Sequence, residues 1–138
     1  MSVSPFIPDD GYTETAYIAA VPRVHSAAKI KYRPTPIEDR ADLLSQIRTA
    51  TMENDERKVA KMMIAAVASR IVSWEFFDDN GKRIEDGIPA VNADSVRKIR
   101  PSLFARLEAI VFYGTDGGDV PPKGGDNNPP DTEGDQKN

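Results

Sequence analysis

His25 is the only histidine in this 138-residue chain, and the chain holds no cysteine. A lone imidazole can serve as a general base, since its unperturbed pKa lies near about 6.5. That work also needs a group to orient the ring and a nucleophile to deprotonate. No Ser-His-Asp order with the glycine pattern of a nucleophile elbow accompanies it. The sequence therefore assigns His25 to a polar turn. With no thiolate available, cysteine nucleophiles, disulfide frameworks and thiolate zinc sites are excluded. A single histidine leaves no transition-metal site of ordinary ligand spacing.

The acidic run Asp78-Asp79-Asn80-Gly81, followed by Glu85-Asp86, invites a calcium test. A calcium loop of the EF-hand type needs an oxygen ligand at its first position and glycine at its sixth. Setting Gly81 sixth puts Phe76 first, which cannot ligate. The run reads instead as a solvated hairpin turn. The densest basic cluster is Arg97-Lys98-Ile99-Arg100, with Arg106 beyond it. No interleaved aromatic residues and no helix-turn-helix pattern support a nucleic-acid surface there. No phosphate-binding glycine loop exists, since Gly117-Gly118 and Gly124-Gly125 precede no predicted helix. The expectation is a chain with no catalytic residue, no cofactor, no metal and no nucleic-acid partner.

Met62-Met63 and Phe76-Phe77 point elsewhere. Neighbouring residues on a helix or strand cannot all face one core, so part of this apolar surface is available to a partner. Methionine suits adaptable binding surfaces. The candidate protein-binding surface comprises Met62, Met63, Val67, Trp74, Phe76, Phe77 and Phe104. A helix buried on two sides within the monomer is the competing reading.

Charge divides the chain in two. Residues 1–113 carry 16 basic and 16 acidic side chains, whereas residues 114–138 carry two lysines against six acids. The entire net charge of −4 therefore sits in the last 25 residues. A neutral body opposes broad electrostatic capture of nucleic acid. No apolar run is long enough for a transmembrane helix, and residues 1–10 lack the basic start and apolar stretch of a signal peptide.

These residues need elements to hold them. Residues 1–11, broken by Pro5, Pro8 and Gly11, read as a flexible arm. A first strand is expected over residues 12–20. A second is marked by Ala28, Ile30 and Tyr32 alternating with Lys29, Lys31 and Arg33, which predicts an N-terminal β-hairpin over residues 12–33. Thr35, Pro36 and Glu38 form a capping box for a first helix, with Ile37, Ala41, Leu44 and Ile47 as its core stripe and Leu43 beside them. Residues 49–55 would connect it to a second helix capped by Asn54 or Asp55. Its stripe of Val59, Met63, Val67, Ile71 and Trp74 marks it as the most buried helix. Asn80-Gly81 predicts a second small hairpin, with Ile84 and residues 88–91 pairing back. Asn92 caps a short helical turn through Val96 and Ile99. Pro101 opens a last helix burying Leu103, Phe104, Leu107, Ile110 and Val111, ended by Gly114. Residues 114–138, with six glycines and four prolines, read as a disordered acidic tail. The fold class is α+β, a single domain over residues 12–113 with three to four helices.

The segment from Tyr32 to Gly114 resembles the small tail assembly chaperones of long-tailed bacteriophages and prophages. The resemblance is carried by Tyr32-Arg33-Pro34 and Glu38-Asp39-Arg40-Ala41, then by Ile71-Val72-Ser73-Trp74 with Asp78, Asp79 and Gly81. It ends in Val96, Ile99-Arg100-Pro101, Leu103-Phe104 and Arg106-Leu107-Glu108-Ala109-Ile110. Such proteins keep the long helical tape-measure protein soluble and recruit tail-tube subunits. The resemblance thus implies these two proteins as partners, a place in the host cytoplasm, and absence from the mature virion. It carries over no catalytic residue. Self-association into a homo-oligomer is compatible with it. The rival reading is a structural virion component, such as a head–tail connector or tail-completion protein, which would stay in the particle.

Overall fold

The computed structural model describes residues 6–7, 11–114 and 119. The expected N-terminal arm and acidic tail lie, apart from those few positions, outside the described residues. The period-2 alternation of the second predicted strand is realised in β2 (Ala27–Tyr32), where Ala28, Ile30 and Tyr32 are buried and Lys29 and Lys31 exposed. It pairs antiparallel with β1 (Glu14–Ile18), forming the predicted N-terminal hairpin. Tyr32 donates its hydroxyl to Glu14 across this pair at 3.0 Å.

The polypeptide then leaves the sheet for two helices, α1 (Ile37–Met52) and α2 (Glu56–Arg70). Asp55 caps α2 as expected, accepting from the Lys58 N–H at 3.1 Å. The expected capping box on α1 does not form. Pro36 occupies the cap position without a side-chain bond, and the solvent-shielded Thr35 hydroxyl finds no hydrogen-bond partner among the described residues. Thr35 instead spends its backbone N–H on the Val111 carbonyl at 3.3 Å, which turns it toward the last helix. The connection between the helices is also shorter than expected, because α1 continues through Thr49, Thr51 and Met52. Both threonine hydroxyls bond back to carbonyls four residues earlier, so they do not interrupt it.

The periodicity that extended the second helix to Trp74 misplaces its end. Helix α2 stops at Arg70 and passes without a loop into β3 (Ile71–Phe77). Ile71 and Val72 are β-branched and Trp74, Phe76 and Phe77 aromatic, the residue types that suit a pleated surface. Pairing with β2 then decides the outcome. The sheet order is β1-β2-β3, antiparallel throughout, with Ile30 opposite Trp74 and Ala28 opposite Phe76. A register shift at Lys31/Tyr32 sets Tyr32 opposite Ile71, leaving Val72 as an extra residue on β3. This bulge lets Ile71 and Trp74, three positions apart, both face the core.

The second hairpin is realised only at its root. Asp78 donates its N–H to the Lys82 carbonyl at 2.8 Å, and Phe77 and Arg83 form an isolated bridge. Residues 88–91 do not pair as a strand, because the chain diverges toward α3 (Ala93–Arg97). Asn92 caps α3 as predicted, in a reciprocal capping box with Ser95. Helix α4 (Pro101–Glu108) follows and runs on as a π-helical turn, Ala109–Tyr113, ended by Gly114 in the left-handed conformation at φ 56°. Gly114 is thus the predicted stop.

The molecule is an α+β arrangement of a three-stranded antiparallel sheet and four helices among the described residues. Its core is not centred on α2, as expected, since that helix buries only Val67. Leu103, Leu107, Ile110, Val111 and Phe112 from α4 and its extension close over Ile18, Ile30 and Ile71 of the sheet. The wide apolar face of α2 is half-buried, whereas the short amphipathic α4 places Leu103 and Leu107 in the core cluster shared with the sheet.

Candidate protein-binding surface

The residues singled out for chemistry are held in structural roles. His25 sits half-buried in the β1–β2 connection, with Nδ1 2.9 Å from the Ser26 carbonyl oxygen. Asp78 accepts from the backbone N–H groups of Asn80 and Lys82 at 2.9 and 3.0 Å, which builds the turn completed by Gly81 at φ 79°. The basic cluster is dispersed rather than presented as one face. Arg97 and Lys98 pair with Asp94 on the same short helix at 2.6 and 3.5 Å, and Arg106 pairs with Asp119 at 3.0 Å. The Arg97 hydrogen bond, followed by the charges of Lys98 and Arg97, holds the Asp94 carboxyl below its usual range. Among the described residues no group of three or more His, Asp or Glu side chains converges as a metal ligand set.

The seven candidate binding residues do not share a surface. Val67 is fully buried at 0% exposure, so its assignment to a binding surface is corrected to the core. It belongs to the core cluster together with the partly buried Ile64, three positions earlier on the same side of α2. Trp74 and Phe76 lie half-buried on the core face of β3, with ring centroids 5.5 Å apart and planes tilted by 57°. Phe104 packs against the same core from α4. Phe77 points to the opposite face of the sheet, opposite Ala27. Met62 and Met63 are half-buried on α2.

Two surface features emerge instead. One is a groove of about 530 Å³ between β3 and the connection to α3. Val72 and Trp74 form one wall, with Ile84, Ile88, Pro89 and Val91 on the other. The Trp74 indole N–H donates to the Pro89 carbonyl at 2.9 Å and ties the two walls together.

The other is the outer side of α1. Ile37 is 77% exposed, Met52 79% and Leu44 39%. At about 100° per residue these three project within one quadrant or so of the helix, away from the side on which Leu43, Ile47 and Ala50 meet the protein. The predicted core stripe of Ile37, Ala41 and Leu44 is therefore a surface stripe, and only Ile47 and the flanking Leu43 turn inward. The helix is oriented this way from its first turn. Arg70 reaches Asp39 at 2.6 Å and the Pro34 carbonyl at 3.4 Å, while the Arg40 guanidinium lies 5.3 Å from the Tyr113 ring centre. With Asp39 and Arg40 committed to the body, Ile37 and Ala41 face outward. The competition between polar anchors and apolar stripe is visible only with the partner residues in place. Met52 lies beyond the helix end that the sequence predicts, in the expected connection over residues 49–55.

Comparison with protein-family models, with curated proteins and with solved structures yields no match.

Proposed function

We propose that this chain is a non-enzymatic assembly factor, a tail assembly chaperone that holds the helical tape-measure protein and helps recruit tail-tube subunits. The observation that carries the reading is the exposed apolar stripe of Ile37, Leu44 and Met52 on α1. A helix that buries Ala50 alone and leaves three large apolar side chains in water keeps a contact surface in reserve. An amphipathic helix of a partner binds such a surface through residues at matching helical spacing. The even balance of 16 basic and 16 acidic side chains over residues 1–113 supports close apolar contact without a strong field for or against any partner. The resemblance over Tyr32 to Gly114 supplies the identity of that partner.

The test is co-expression with a helical fragment of a phage tape-measure protein. A soluble complex that co-elutes at micromolar concentration is expected. A fragment that aggregates in the presence of this chain, or that elutes apart from it, contradicts the proposal. Retention of this chain in purified particles would favour a structural virion component instead.

A further inference from the structure

We infer that Asp119 seals the free edge of β1 against pairing with a second copy of this chain. The inference stands apart from the proposed function and rests on the edges of the sheet. With the order β1-β2-β3, the outer side of β1 has no neighbouring strand among the described residues. Unpaired edge groups of this kind are templates for another strand, and folded proteins commonly blunt them.

Asp119 occupies this edge in the manner of a strand. Its backbone N–H donates to the Tyr17 carbonyl at 2.5 Å, and its Oδ2 accepts from the Ala19 N–H at 2.8 Å. In an antiparallel ladder a carbonyl and the N–H two residues later face the same neighbour. One residue thus supplies the donor and the acceptor that a second strand would offer there. Arg106 of α4 holds the other carboxylate oxygen at 3.0 Å and fixes the side chain against the sheet. Burial, and then the Asp119 charge, push the Tyr17 hydroxyl above its usual range, in keeping with a close contact. The opposite edge is treated alike. On β3 the Ile84 N–H donates to the Phe76 carbonyl at 2.7 Å beside the Phe77–Arg83 bridge. Each edge of the sheet thus carries a short capping contact, and on β1 it comes from 100 residues away in sequence.

The experiment measures mass by light scattering across a micromolar to near-millimolar range. It compares the full chain with Asp119→Ala and with a chain ended at Gly118. Both variants are expected to roughly double in mass relative to the parent as concentration rises. Adding Thr15→Pro to Asp119→Ala should restore the parent mass. Thr15 lies two residues from Tyr17, so its N–H faces the same open edge and proline there spares the β1–β2 ladder. Variants that keep the parent mass throughout overturn the inference, as does association that persists with Thr15→Pro. Loss of the far-ultraviolet circular-dichroism signal in Asp119→Ala also overturns it, because the residue would then hold the fold rather than guard its edge.

Discussion

The indole N–H of Trp74 donates to the carbonyl of Pro89 at 2.9 Å, joining β3 to the chain that leads into α3. Trp74 is thereby engaged at both ends, its ring against Phe76 and its nitrogen on the connection. This makes it a strut between two walls of a groove rather than a free anchor for a partner. Replacing Trp74 with Phe keeps most of the packing and removes the bond. A loss of about 1 kcal/mol in urea unfolding is expected, with faster amide exchange over residues 85–91. Unchanged exchange there would show that the bond does not hold the connection.

The core and the α1 stripe make opposite demands on substitution. Leu107 is 1% exposed, and Leu107→Ala should cost roughly 2–5 kcal/mol through lost transfer energy and a residual cavity. Met52→Ala should stay within about 0.5 kcal/mol of the parent, because its side chain touches little. Chemical denaturation of the two variants separates these expectations. Similar losses for both would mean that α1 is packed more tightly than the exposed side chains indicate.

Thr35 offers a gain. Its hydroxyl is shielded from solvent and lacks a partner among the described residues. Thr35→Val replaces that oxygen with a methyl of nearly the same shape. A stabilisation of about 1 kcal/mol is expected, since the desolvated hydroxyl no longer has to be accommodated. Thermal unfolding measures it, and a lower Tm would reveal a bond that the hydroxyl makes in solution.

Glu108 carries a pH signature. Burial beside the core pushes its carboxyl above the ordinary value of 4.5. A group raised on folding favours the folded state below its unfolded pKa, and that advantage is lost as pH rises through the folded pKa. Near neutrality the charged carboxylate is therefore a burden. Glu108→Gln should stabilise by a few tenths of a kcal/mol at pH 7, roughly, the effect being reduced by solvent screening. The difference should disappear below the unfolded pKa, where both side chains are neutral. Paired denaturation curves at neutral and acidic pH give the sign directly.

Local signals were legible where one element's own residues decide its structure. The alternation in β2, the Asn92 cap of α3, Pro101 at the start of α4 and Gly114 at its end all lie in short stretches of sequence. The misreadings arise where distant residues decide. Ile71 continues the helical stripe of α2 in period, yet pairing with Tyr32 draws it into β3. Ile37 and Leu44 have core spacing, yet the Arg70–Asp39 pair and the Arg40–Tyr113 contact turn them outward. Val67 belongs to an apolar run on α2, and nothing in that run distinguishes the fully buried residue from the half-buried Met62 and Met63. The apolar pairs of α2 and β3 thus mark a candidate surface in sequence, whereas in the fold α1 exposes Ile37, Leu44 and Met52.

The outer stripe of α1 is the centre of this account, and a binding titration tests it most directly. A fluorescently labelled helical fragment of a phage tape-measure protein is titrated with the parent chain and with Ile37→Glu/Met52→Glu. Saturable binding by the parent is expected. The double variant should lose at least roughly tenfold in affinity while its unfolding midpoint stays near the parent's. Equal affinity of the two chains for the fragment, or no binding by either, would contradict the account.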